Sequence, residues 1–155
     1  MMTIGIETVH AYLTSELDGV RPVEAWGETS YFFNPGGALA RGTYLATIKQ
    51  KDGPNDRASD LDRDGVWRLN IGVGKRRFQA MFGALPTRPP KGETVKGSWD
   101  FAAIDRIVPH PVYGWMGWVA VLCPSEPTFK ACKPLIAEAH DRAAASFRRR
   151  VKPGR

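Results

Sequence analysis

The stretch that decides the fold is "GVWRLNIGVG", residues 65–74. Trp67, Leu69, Ile71 and Val73 alternate with Arg68 and Asn70, the period of two that marks a strand with one buried face and one wet face. Such a strand needs neighbours. Upstream, "AWGETSYFFNPGG" (25–37) reads as a strand that ends in a Pro-Gly-Gly turn, and "TYLATIKQKDGP" (43–54) as the strand that returns from it, so a hairpin is predicted. Downstream, "WVAVL" (118–122) is apolar on both faces, with Trp118, Ala120 and Leu122 on one and Val119 and Val121 on the other. That pattern predicts a strand placed centrally in the sheet, with Trp118 in the core.

Helical periodicity flanks these strands. Ile6, Val9, Leu13 and Leu17 predict a helix over about 3–18, capped by Thr3 and stopped at Asp18-Gly19. "KRRFQAMFG" (75–83) predicts a short helix with Phe78, Met81 and Phe82 inward and Gly83 as its stop. A final helix over about 127–150 carries Phe129, Cys132, Ile136, Ala139, Ala143 and Phe147 on one side, with Ser125 or Thr128 as cap. Pro134 lies within it and predicts a break near Lys133. "ALPTRPPKGETVKG" (84–97), rich in Pro and Gly, reads as a long mobile loop. The expected fold is α+β: a single domain over 1–150, its mostly antiparallel sheet flanked by N-terminal and C-terminal helices, with a basic tail at 151–155.

The chain has 155 residues, enough for one hydrophobic core without disulfide or metal support. No apolar run approaches the ~20 residues that cross a bilayer, and "MMTIGIETVHAYL" has no basic leader or continuous apolar segment, so no membrane partner and a cytoplasmic location are expected. Cys123 and Cys132 fit no zinc or redox spacing and are expected to be buried free thiols. The net charge is +6, but Arg142, Arg148, Arg149, Arg150, Lys152 and Arg155 form an acid-free end. Taking these six from the 22 basic residues leaves 16 against 16 acidic ones, so the excess belongs to the C-terminus. Basic residues there also complement a helix dipole without any partner.

Taken together, the blocks "AWGETSYFFNPGG", "TYLATIKQKD", "SDLDRDGVWRLNIGVG", "HPVYGWMGWVAVLCPSEPTF" and "LIAEAHDRA" resemble an uncharacterised bacterial family, domain-of-unknown-function family 6194, over most of the chain. The resemblance implies membership and no particular reaction; the family pattern carries Pro where Asp64 stands here. The layout is also similar to that of the MmcQ/YjbR-like proteins. That second likeness, one of architecture, implies a compact "double-wing" domain of a kind proposed to bind DNA.

Several motifs invite chemistry. "DLDRDG" (60–65) places Asp60, Asp62, Asp64 and Gly65 at the first positions of a calcium loop, but position 12 is Ile71 in a strand, so a polar turn is expected. His10, His110 and His140 are scattered and predict no metal site. No nucleotide-binding or nucleophile motif occurs, and no cofactor is expected. "IGVGKRRF" (71–78) lacks Walker spacing and reads as a strand-to-helix turn. If the strand 43–51 pairs with 66–73, Thr47, Lys49, Arg68 and Asn70 share one face, donors suited to a small polar or anionic ligand. His110 and Tyr113, in the loop before Gly117, add a rim to that candidate site.

Three functional readings follow. The first is a non-catalytic ligand-binding or interaction domain using Lys49, Arg68, Asn70, His110 and Tyr113. The second is nucleic-acid binding, with Lys75, Arg76, Arg77, Arg148, Arg149 and Arg150 on phosphates and Tyr113 or Trp115 stacking on bases. The third is a small enzyme in which His110 acts as acid or base with Asp105 or Glu28.

Overall fold

A computed structural model describes residues 2–151; the expected basic tail lies outside the described residues from position 152 onward. The elements run α1 (Ile6–Ser15), β1 (Val20–Ala25), β2 (Glu28–Phe33), β3 (Thr43–Lys49), β4 (Arg68–Gly72), α2 (Lys75–Phe82), β5 (Val108–Pro109), β6 (Trp118–Leu122) and α3 (Glu126–Arg150). The six strands form one sheet in the order β1-β2-β3-β4-β6-β5, with every pairing antiparallel. The fold is thus the α+β arrangement read from the sequence, with helices at both ends.

The alternation in "GVWRLNIGVG" sets the two sides of the sheet. Trp67, Leu69, Ile71 and Val73 are buried with Val9 and Leu13 of α1, Phe78 of α2, Val119 and Val121 of β6, and Phe129, Cys132, Ile136, Ala139 and Ala143 of α3. All three helices therefore pack on one face. Cys123 and Cys132 are free and buried, as expected.

The opposite face corrects the expectation of a wet strand surface, because Arg68 and Asn70 are buried. Two loops cover this side. Residues 50–66 bring Asp56 and Ser59 onto Arg68, and the long segment after α2 contributes Val95 and Phe101 to a second small cluster with Val108. The Pro-rich loop expected to be mobile is tethered: the Val95 amide donates to Pro111 O at 2.8 Å, and the Arg88 guanidinium stacks 5.0 Å from the Trp115 ring centre.

Three elements differ from expectation: the start of α1, the unforeseen strand β1, and the absence of a break in α3, which has the expected Ser125 cap. Helix α1 starts after Gly5, because Thr3 bridges to Ser125 and the Ile4 amide donates to Pro124 O at 3.0 Å, extending the chain before the helix. Strand β1 carries no alternation, being exposed beyond Val20, and it contains Pro22, a residue that sheets tolerate at an edge. It joins β2 through Trp26 and Gly27, both at positive φ (51° and 76°), the geometry of a two-residue hairpin turn. Helix α3 begins on Ser125, whose hydroxyl accepts from the Thr128 amide, and continues unbroken through Pro134. Pro134 is exposed, so water can satisfy the carbonyl that its missing N–H leaves free and the helix need not break.

Candidate functional site

A cavity of about 540 Å³ opens on the face of the sheet away from the helices. Its position follows from register. Lys49 pairs with Arg68, Thr47 with Asn70, and Ser30 and Glu28 of β2 extend the same rows. Opposite them, Arg68, Asn70 and Gly72 pair with Leu122, Ala120 and Trp118. The expected grouping of Thr47, Lys49, Arg68 and Asn70 on one face is therefore realised by the strand pairing.

A bulge in β3 places one wall. Tyr31 pairs with Ala46 but Phe32 pairs with Tyr44, so Leu45 has no partner in the ladder. This extra residue turns Leu45 into the helix-facing core and keeps Tyr44 on the cavity side. Tyr44 packs between Phe32 and Trp118, with ring centres 5.5 and 5.3 Å away. Trp118 is therefore a half-buried cavity wall, which corrects its expected place in the core. Its indole lies across β4 where residue 72 is Gly: a Cβ there would come within 2.9 Å of the ring. The other rim is Tyr113, 5.1 Å from His110 between ring centres. Both rim tyrosines are half exposed.

Beneath the cavity lies a buried polar network centred on Arg68, whose side chain is 0% exposed. Its Nη1 donates to Asp56 Oδ1 at 3.0 Å and to Ser59 Oγ at 2.9 Å, its Nη2 to Asp56 Oδ2 at 2.6 Å, and its Nε to Asn70 Oδ1 at 2.7 Å. Asn70 Nδ2 then donates to Thr47 Oγ1 at 2.8 Å. A bidentate guanidinium–carboxylate pair offsets the cost of burying both charges when neighbouring acceptors take further guanidinium N–H groups, as Ser59 and Asn70 do here. Burial pushes the Asp56 carboxyl up, but the hydrogen bond and charge of Arg68 outweigh it and hold the group below the usual carboxylate range.

His110 is buried at the junction of network and cavity. Its Nδ1 accepts from the backbone amides of Val112 at 3.1 Å and Tyr113 at 3.0 Å, while Nε2 lies 3.3 Å from Arg68 Nη2. Two amides directed at Nδ1 put the proton of the neutral ring on Nε2. Burial, then the adjacent Arg68 charge, hold its pKa well below the ordinary value against the pull of Asp56. A ring with its lone pair engaged by the backbone is unsuited to general-base work. The two proposed partners also fall differently from expectation: Asp105 Oδ1 accepts from the Ser125 amide at 2.7 Å, and Glu28 lies 3.8 Å from Lys49 Nζ.

Of the candidate binding residues, Lys49, Asn70, His110 and Tyr113 line the cavity and Arg68 supports its floor. The basic residues of the nucleic-acid reading lie elsewhere. Lys75, Arg76 and Arg77 form the first turn of α2, where Arg77 Nε donates to Glu138 Oε1 at 2.9 Å. Arg148, Arg149 and Arg150 form the last turn of α3, where Arg150 Nη1 donates to Thr43 Oγ1 at 3.2 Å. In the acidic loop, Asp52 Oδ1 accepts from the Leu61 amide and Asp62 Oδ1 from the Asp52 amide, so these side chains serve the backbone. No group of three or more metal-ligating side chains occurs among the described residues.

Asp56 and Ser59 were not foreseen as part of the site. They reach Arg68 from a loop, and the only signal in the sequence was the general need of a buried Arg for a carboxylate. Tyr44 was hidden by the bulge, since strict alternation across β3 would place Leu45 beside Thr47.

Fold and site together define a small α+β domain with its helices on one sheet face and an aromatic-walled polar cavity on the other. The chain belongs to a family of unknown function, DUF6194, whose model matches residues 2–152. Comparison with curated proteins and with solved structures finds no match. No helix among the described residues is long and apolar enough to cross a membrane.

Proposed function

We propose that this protein is a non-catalytic ligand-binding domain whose site is the cavity between Tyr44, Trp118 and Tyr113. The observation that carries this reading is the buried network under the cavity, where Arg68, Asp56, Ser59, Asn70 and Thr47 form one connected hydrogen-bonded floor. An apolar floor would cost less to bury, whereas a fixed polar floor beneath aromatic walls suits recognition of a small molecule. The engaged Nδ1 of His110 favours binding over acid–base catalysis. Nucleic-acid binding is less well supported, since Arg77 and Arg150 already have protein partners and the exposed Tyr113 belongs to the cavity rim.

A screen of small polar and aromatic metabolites, read by two-dimensional NMR, tests the proposal. Ligands are expected to shift the Trp118 indole N–H resonance, and Tyr44→Ala to weaken them by about tenfold, as loss of an aromatic contact does. No perturbation at the cavity, together with salt-sensitive binding of duplex DNA at the α2 and α3 arginines, would overturn it.

A further inference from the structure

The hydrogen-bonding groups around the cavity are unevenly matched, and the imbalance indicates what it would hold. Asn70 Oδ1 is taken by Arg68 Nε and Thr47 Oγ1 by one N–H of Asn70, leaving the second Asn70 N–H and the Thr47 hydroxyl proton uncommitted. The Lys49 side chain is only 12% exposed, and its Nζ has no hydrogen bond among the described residues; Glu28 Oε1, its nearest carboxylate, is 3.8 Å away. At His110, occupation of Nδ1 places the ring proton on Nε2, which faces another donor, Arg68 Nη2, at 3.3 Å. Lys49, Asn70, Thr47 and His110 thus present donors with too few acceptors between them.

Charge narrows the choice further. Arg41 and Lys49 at the cavity, with Arg68 below it, stand against Glu28 and Asp56, an excess of one positive charge. A monoanion balances that excess, whereas a dianionic phosphate would overshoot it and meet both carboxylates. The Phe32–Tyr44–Trp118 wall offers a stacking surface for a flat ring. We propose that the cavity selects a small aromatic or heteroaromatic monocarboxylate, its carboxylate received by Lys49 and the Asn70, Thr47 and His110 donors, its ring against Tyr44 and Trp118. This inference rests on the reading of the cavity as a ligand site.

Benzoate, benzamide, acetate and inorganic phosphate, titrated separately and followed at the Trp118 indole resonance, provide the test. Benzoate is expected to bind at least about tenfold more tightly than the other three, the scale of one charge-assisted hydrogen bond together with the ring contact. Lys49→Met should weaken benzoate by at least about tenfold and benzamide by clearly less, so that the two bind about equally. If that variant does not fold, the comparison of benzoate with benzamide on the unaltered protein decides alone. Equal binding of benzoate and benzamide, or tighter binding of phosphate, would overturn the carboxylate assignment and leave the cavity as a ligand site. Failure of all four probes to perturb Trp118 or Tyr44 would overturn the carboxylate assignment and count against the cavity reading as well.

Discussion

At the scale of single residues, His110 links the site to pH. Its folded-state pKa is depressed, first by burial and then by Arg68, while in the unfolded chain it titrates near the ordinary value of about 6.5. Below that pH the unfolded state binds a proton that the folded state resists. The stability contributed by the neutral ring is therefore complete above about pH 6.5 and declines as the pH falls, with a slope approaching 1.4 kcal/mol per pH unit. Denaturant unfolding between about pH 7 and 5 should show this slope. His110→Asn, which keeps an acceptor for the Val112 and Tyr113 amides but cannot titrate, should flatten it; an unchanged slope would place the proton elsewhere.

Secondary-structure elements show where sequence patterns persuade and where they mislead. Strand β4 was legible because alternation and burial coincide at Leu69 and Ile71, and α2 because Phe78 is buried and Gly83 stops the helix. The polar partners of β4 were legible as a group, yet their burial was not, because it depends on loops whose sequences carry no period. The hairpin β1–β2 was missed because its outer strand buries only Val20. Its turn carries Trp26 at φ 51° with 91% exposure, where Asn, Asp or Gly would sit without the strain a bulky side chain meets in this region. Trp26→Asn should accordingly stabilise the domain by about 0.5–1 kcal/mol, seen as a rise of a few degrees in Tm. A fall in Tm would mean that the indole makes stabilising contacts outweighing the strain.

Across the whole molecule, stability is graded along the sheet. Strands β4 and β6 are buried between the helices and the covering loops, whereas β1 is an exposed edge held mainly by β2. Native-state hydrogen exchange should therefore find the β4 and β6 amides opening only with global unfolding, and the β1–β2 hairpin opening at lower free energy. Equal protection throughout would make the sheet a single cooperative unit. The two loops that cover the polar face also explain why the sequence understated the site: Asp56 approaches from one of them and the Val95–Phe101 cluster from the other.

The bulge in β3 has a consequence for how this domain can diversify. Because Leu45 is the unpaired residue, it adds volume to the helical side without moving Thr47, Lys49 or Tyr44 from theirs. Packing under α3 and the shape of the cavity thus become separately heritable traits: variation at position 45 retunes the scaffold, and variation at 44, 47 or 49 reshapes the cavity lining.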